Sequence, residues 1–214
     1  MNDLLAELEA VRREVGGAEL PAGAARRIAL TRTYDADVAD VWDALTDPDR
    51  IRRWFLPVTG DLRLGGHYQL EGNAGGEIRV CDEPRRLQVT WIFGEAPSEE
   101  DSSIVEVRLE PAADGSTELV LEHVAVVPEE MWDRYGPGAT GVGWDLTLLG
   151  LAAHLAGVEL GDPAEAERSP QMRQAMADSS RAWGAANVAA GADEDEAGAA
   201  VTRTTEFYAP PADD

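Results

Sequence analysis

Apolar residues fall at helical spacing near both ends of the chain and in two places between, and at alternate positions through its middle. Leu4, Leu8, Val11 and Val15 predict a short amphipathic helix, interrupted by the linker-like stretch "GGAELPAGA". In "RRIALTRTY" alternation places Ile28, Leu30, Arg32 and Tyr34 on one side of a strand. Val38, Val41, Trp42 and Leu45 return to helical spacing. Asp47 then supplies an N-cap and Pro48 the first position of a second short helix, with Ile51, Trp54 and Phe55 on one face. Two short helices thus meet in a V and turn aromatic surface inward. "HYQLEG", "GEIRVCDE", "RLQVTWIFG", "SIVEVRLEP" and "TELVLEHVAVV" are short β-rich runs separated by turn material such as "NAGG", "EPR", "GEAPSEED" and "AADGS", which predicts an antiparallel meander. "DLRL", before Gly65 and Gly66, either starts a further strand or extends the first of these.

The segment "WDLTLLGLAAHLAG" carries two apolar stripes, Trp144, Leu148, Leu151 and Leu155 on one and Val142, Leu146, Leu149 and Ala153 on the other. A helix apolar over so much of its circumference is buried, and Gly150 lets its support approach closely. Beyond Val158 the pattern is a helical hairpin. Ser169 and Pro170 open a helix bearing Met172, Met176 and Trp183, Gly191 ends it, and Asp193 with Glu196 caps a second helix with Ala197, Ala200, Val201, Thr204 and Tyr208. The hairpin is expected to pack on the sheet or cavity mouth of its own chain, or to form a homodimer contact. The expected organisation is an N-terminal helix and linker over residues 1–24, a main domain over 25–157 and a helical extension over 158–214.

Composition narrows what this chain can do. A hydrophobic content of 44% in 214 residues supports a packed core. Against 41 acidic residues stand 18 basic ones, so the net charge of -23 repels nucleic acid and anionic membrane surfaces. Every basic residue is arginine, which excludes a Schiff-base lysine, a pyridoxal phosphate anchor and a phosphate-loop lysine. Cys81 is the single cysteine, so no intramolecular disulfide forms; its place in a strand-like run suits packing. Asp3, Glu7, Glu9 and Glu14 break up any apolar signal-peptide core, and no stretch approaches the roughly 18 apolar residues of a membrane span, so a soluble, cytoplasmic protein is expected.

Three scattered histidines, His67, His123 and His154, share no metal-ligand spacing with Cys81, so neither a metal nor a cofactor is expected. Gly136, Gly138 and Gly141 match the dinucleotide pattern G-x-G-x-x-G, but "PEEMWDRY" precedes them where that motif needs a strand. They are expected to form a flexible corner at the start of the long helix.

A strand, two short helices, an antiparallel meander and a long apolar helix, in that order, form the series of a helix-grip fold. The chain from Arg26 to Gly157 resembles the START-like (Bet v-like) superfamily called SRPBCC, and within it the family similar to the C-terminal domain of the activator of the heat-shock-90 ATPase. "VWDALTDPDRIRRWF", "GDLRLGGHYQLEG", "EPRRLQVTW", "LEHVAV" and "GPGATGVGWDLTLLGLAAHLA" carry the resemblance. It implies an α+β fold in which a curved antiparallel sheet wraps a long C-terminal helix around a cavity, with the two short helices closing one end.

On that frame the candidate cavity residues are Trp42, Trp54 and Phe55 at the closed end, Tyr68, Leu70, Trp91, Phe93, Leu121 and His123 from the strands, and Trp144, Leu148 and Leu151 from the helix. Alternation puts His123 on the face of Leu119 and Leu121, where it is either a ligand-binding or general-base group or a histidine satisfied by its neighbours. Few polar groups accompany these apolar positions, so the first functional expectation is binding of a hydrophobic or amphipathic small molecule. A co-chaperone acting on a heat-shock-90-type ATPase is the alternative the resemblance implies. A cyclase- or dehydratase-like enzyme using His123 with Tyr68 or Trp144 stands third, because no nucleophile, base and orienting group occur together. The expectation leans away from catalysis. The partners are a hydrophobic small molecule and, in the alternative, a chaperone, for a monomer or homodimer.

Overall fold

The computed structural model describes residues 4–94, 102–158 and 169–210. One sheet of eight antiparallel strands runs in the order β1-β2-β8-β7-β6-β5-β4-β3. The strands are β1 (Arg12–Leu20), β2 (Gly23–Tyr34), β3 (Val58–Gly60), β4 (His67–Leu70), β5 (Gly75–Asp82), β6 (Arg86–Thr90), β7 (Ser103–Pro111) and β8 (Thr117–Ala125). The helices are α1 (Leu4–Glu9), α2 (Val38–Thr46), α3 (Pro48–Trp54), α4 (Glu129–Tyr135), α5 (Gly138–Leu155), α6 (Pro170–Ala189) and α7 (Glu194–Tyr208). The sheet curves around α5, so the fold is the expected α+β helix grip.

The caps sit where the sequence places them. The Asp47 side chain accepts from the Arg50 amide, with Pro48 in the first turn of α3. Ser169 caps α6 at Met172, and Asp193 caps α7 at Asp195 and Glu196.

The N-terminal stretch differs from expectation. α1 ends at Glu9, and Val11 and Val15 do not continue it: residues 12–20 form β1, and Gly16 and Gly17 lie inside that strand. Nine residues of β1 pair with β2, from Arg12 opposite Thr31 to Leu20 opposite Gly23. A long-range ladder with an available sheet edge prevails over helical spacing in a short segment, whose isolated helix is marginal. "DLRL" likewise forms no strand; Val58–Gly60 is the edge strand, paired through Thr59 and Gln69. α4 lies within "PEEMWDRY", a further helix ahead of the glycine corner.

Two supports account for the oily circumference of α5. Trp144, Leu148 and Leu151 belong to the main core with the sheet, while Leu149 packs with Leu8 of α1 and Ala175 of α6. The hairpin therefore lies chiefly against the outer side of α5 rather than on the sheet. The glycines matter here. A Cβ at Gly141 would stand 2.2 Å from the Trp183 ring, and one at Gly150 would stand 2.6 Å from the Trp54 carbonyl oxygen. The G-x-G-x-x-G pattern is thus a packing surface for α6 and α7 as well as a corner: Gly136 turns the chain at φ +57° and Gly138 abuts Thr204.

Asp145, with no exposed surface, faces this outer side of α5. It accepts from Arg13 Nε and Nη2 at 3.0 Å each, from Ser179 Oγ at 2.5 Å and from Trp183 Nε1 at 3.0 Å. Arg13 also donates to the Leu8 and Val11 carbonyls, so one guanidinium fixes the junction of α1 and β1. Burial pushes the Asp145 carboxyl pKa up, and Arg13, Ser179 and Trp183 oppose that push. Four donors converging on it favour the carboxylate. Removing one partner of a buried ion pair typically costs about 3–5 kcal/mol. Asp145→Ala should lower the unfolding free energy by that order in urea titrations; a loss below about 1 kcal/mol would show that the cluster does not hold the termini.

Candidate functional site

The V of α2 and α3 closes one end of the grip, as the resemblance implies. Trp54 Nε1 donates to the Ala44 carbonyl at 3.0 Å, tying the two helices together, and its ring stacks on Phe55 at 5.7 Å between centroids. Trp42 is buried in the core and does not reach the cavity.

Between sheet and helix lies an inner cavity of about 180 Å³. Trp54, Phe55, Tyr68, Leu70, Trp91, Leu121, Trp144 and Leu148 all contribute to its wall, so eight of the twelve sequence candidates converge there. Tyr68 Oη donates to the Thr90 carbonyl at 2.8 Å, and burial raises its pKa. The wall is apolar almost throughout. Its charged member is Arg63, which is already paired with Asp61.

Four candidates lie elsewhere. Trp42 and Leu151 are core residues. Phe93 is 70% exposed because β6 ends at Thr90, so the alternation from Leu87 stops before reaching it. His123 is absent from the inner wall and faces an outer cleft of about 590 Å³.

Conversely, sequence reasoning missed Val105 and Val107, which line the inner cavity from β7. Their signal is the alternation of Val105, Val107 and Leu109 against Glu106 and Arg108. Leu62, Arg63 and Cys81 also border the cavity. Cys81 is exposed.

His123 is a satisfied histidine. Trp144 Nε1 donates to its Nδ1 at 3.0 Å, and its Nε2 stands 2.9 Å from Ser103 Oγ. An indole N–H only donates, so Nδ1 is the acceptor and the proton of the neutral ring sits on Nε2. Burial lowers the His123 pKa to about 4. Protonation would also set an Nδ1–H against the indole N–H. Among the described residues no cluster of histidine, cysteine and carboxylate side chains could hold a metal ion, and no helix is long and apolar enough to cross a membrane.

The family described as Activator of Hsp90 ATPase homolog 1-like protein matches residues 35–156. The chain belongs to this family. CalU16 from Micromonospora echinospora is 39% identical; its crystal structure superposes with a TM-score of 0.65, covering 83% of this chain and 98% of CalU16. The solution structure of CalU16 gives a TM-score of 0.69 over 85% of this chain and 97% of its own. Protein MLL2253 from Mesorhizobium loti, 23% identical, shares the fold with a TM-score of 0.53 over 63% of this chain and all of its own. No curated protein matches the chain.

The family span holds α2 through α5 and the whole wall of the inner cavity. It also holds Asp145 but none of its partners: Arg13, Ser179 and Trp183 lie outside residues 35–156. The likeness to CalU16 covers more of the chain than that span.

The depressed His123 pKa has a consequence for stability. Above the ordinary value of 6.5 the ring is neutral folded or unfolded. As the pH falls from 6.5 to about 4 the unfolded chain takes up a proton that the folded chain refuses, so stability declines through that window. A shift of this size corresponds to about 3 kcal/mol. Urea unfolding at stepped pH should show this component in the parent protein and not in His123→Asn; equal pH slopes would contradict a buried neutral imidazole.

Proposed function

We propose that this protein binds a small apolar molecule in the inner cavity. The observation that carries the proposal is about 180 Å³ of space in the core, walled by aromatic and aliphatic side chains. A dry cavity of roughly this size accepts a benzene-sized guest in other proteins. Trp91 and Trp144 lie in the wall with ring centroids 4.9 Å apart, so a guest would alter their fluorescence.

His123 offers no support for the enzyme alternative, because both ring nitrogens are engaged and it stands outside the inner cavity. The co-chaperone alternative is supported by the family description alone. Cytoplasmic residence remains part of the proposal, supported by a single cysteine that leaves no intramolecular disulfide to form.

Titration of the purified protein with naphthalene, followed by tryptophan fluorescence, tests the binding reading. Saturable quenching is expected. Val107→Phe, which places a ring in the cavity, should weaken binding at least about tenfold while leaving the melting temperature equal or higher, because filling a cavity restores lost contacts. Equal affinity in parent and variant would remove the inner cavity as the site.

A further inference from the structure

The inner cavity and the outer cleft adjoin one another. Phe55, Trp91, Trp144 and Thr147 belong to the walls of both. The two spaces differ in chemistry. Around the outer cleft stand Ser102, Ser103, His123, Thr140 and Tyr208, and none of its described lining residues carries a charge at neutral pH.

Within this cleft one hydrogen-bond direction is fixed. The Trp144 N–H leaves His123 Nδ1 as an acceptor, and His123 must therefore donate from Nε2 to Ser103 Oγ. Ser103 Oγ is thereby an acceptor toward the histidine, and its own O–H is left to donate. Among the described residues that O–H has no other partner, and Ser103 lines the cleft. Each link in such a chain polarises the next. Tyr208 Oη donates to the Ala139 carbonyl, and Thr147 Oγ1 donates to the Gly143 carbonyl, so these two hydroxyl protons are already committed.

We infer that the outer cleft is a second subsite, in which Ser103 donates to a neutral acceptor oxygen on the same ligand whose apolar body fills the inner cavity. The ligand class is an uncharged amphipathic molecule: a ring-sized apolar body joined to a carbonyl, ether or hydroxyl oxygen. A carboxylate or phosphate would enter a cleft with no described cation to meet it, in a protein of net charge -23. This inference rests on the cavity reading above.

Three probes with one ring system separate the two ideas: naphthalene, 2-acetylnaphthalene and 2-naphthoate, titrated at pH 7 against the full chain. The ketone is expected to bind about 3- to 10-fold tighter than naphthalene, the worth of one net hydrogen bond. The naphthoate anion should bind more weakly than either. Ser103→Ala should bring the ketone down to the affinity of naphthalene without changing naphthalene itself, and Ser103→Thr should retain the preference.

Should naphthalene bind while the ketone gains nothing, the inner cavity stands and the Ser103 subsite is overturned. A ketone preference that survives Ser103→Ala, or tightest binding by naphthoate, overturns it as well. Failure of all three to bind overturns the cavity reading together with the subsite.

Discussion

A carboxylate with no exposed surface, Asp145, is a point at which both ends of the chain engage α5. Arg13 reaches it from β1, and Ser179 and Trp183 reach it from α6. Desolvating such a charge is expensive, and the arrangement is tolerable only because each incoming group is a donor and the guanidinium contributes two of its bonds. Its geometric effect is to hold the outer side of α5 against elements that lie beyond the family span. Gly141 belongs to the same contact, since any larger residue would displace the Trp183 ring.

That outer support bears on the inner side. An apolar cavity in a protein core forgoes contact energy, roughly 24 cal/mol per Å³ in measured core truncations. The buried cluster and the cavity lie on opposite sides of the same helix. Trp144 and Asp145 are adjacent in sequence and divide these tasks. Asp145 fastens the helix outward, while Trp144 walls the cavity and fixes the tautomer of His123.

Much of this was legible in the sequence, and the exceptions have physical reasons. The aromatic V of α2 and α3 was announced by Asp47, Pro48 and the spacing of Trp54 and Phe55, because caps and periodicity are local properties. β1 was not, since its nine residues are strand by virtue of pairing with β2, a partner no local pattern can display. The alternation that points Phe93 at the wall runs past the end of β6 at Thr90, where it no longer fixes a face. Alternation sets His123 on the face of Leu121, but it fixes a side of the sheet and not a position along it, so His123 lines the outer cleft. Asp145 carried a signal that could have been used. Apart from His154, it is the one ionisable residue in an otherwise apolar helix, and a charge in such a place implies a buried partner.

On the proposed reading, the space between sheet and α5 admits and holds an apolar guest. A methyl-labelled NMR titration with naphthalene up to its solubility limit would locate the guest directly. Ring-current shifts at the methyls of Val105, Val107, Leu119 and Leu121, which all line the cavity, are the predicted result. Those methyls unmoved, with shifts confined to exposed positions such as Leu64, would contradict it.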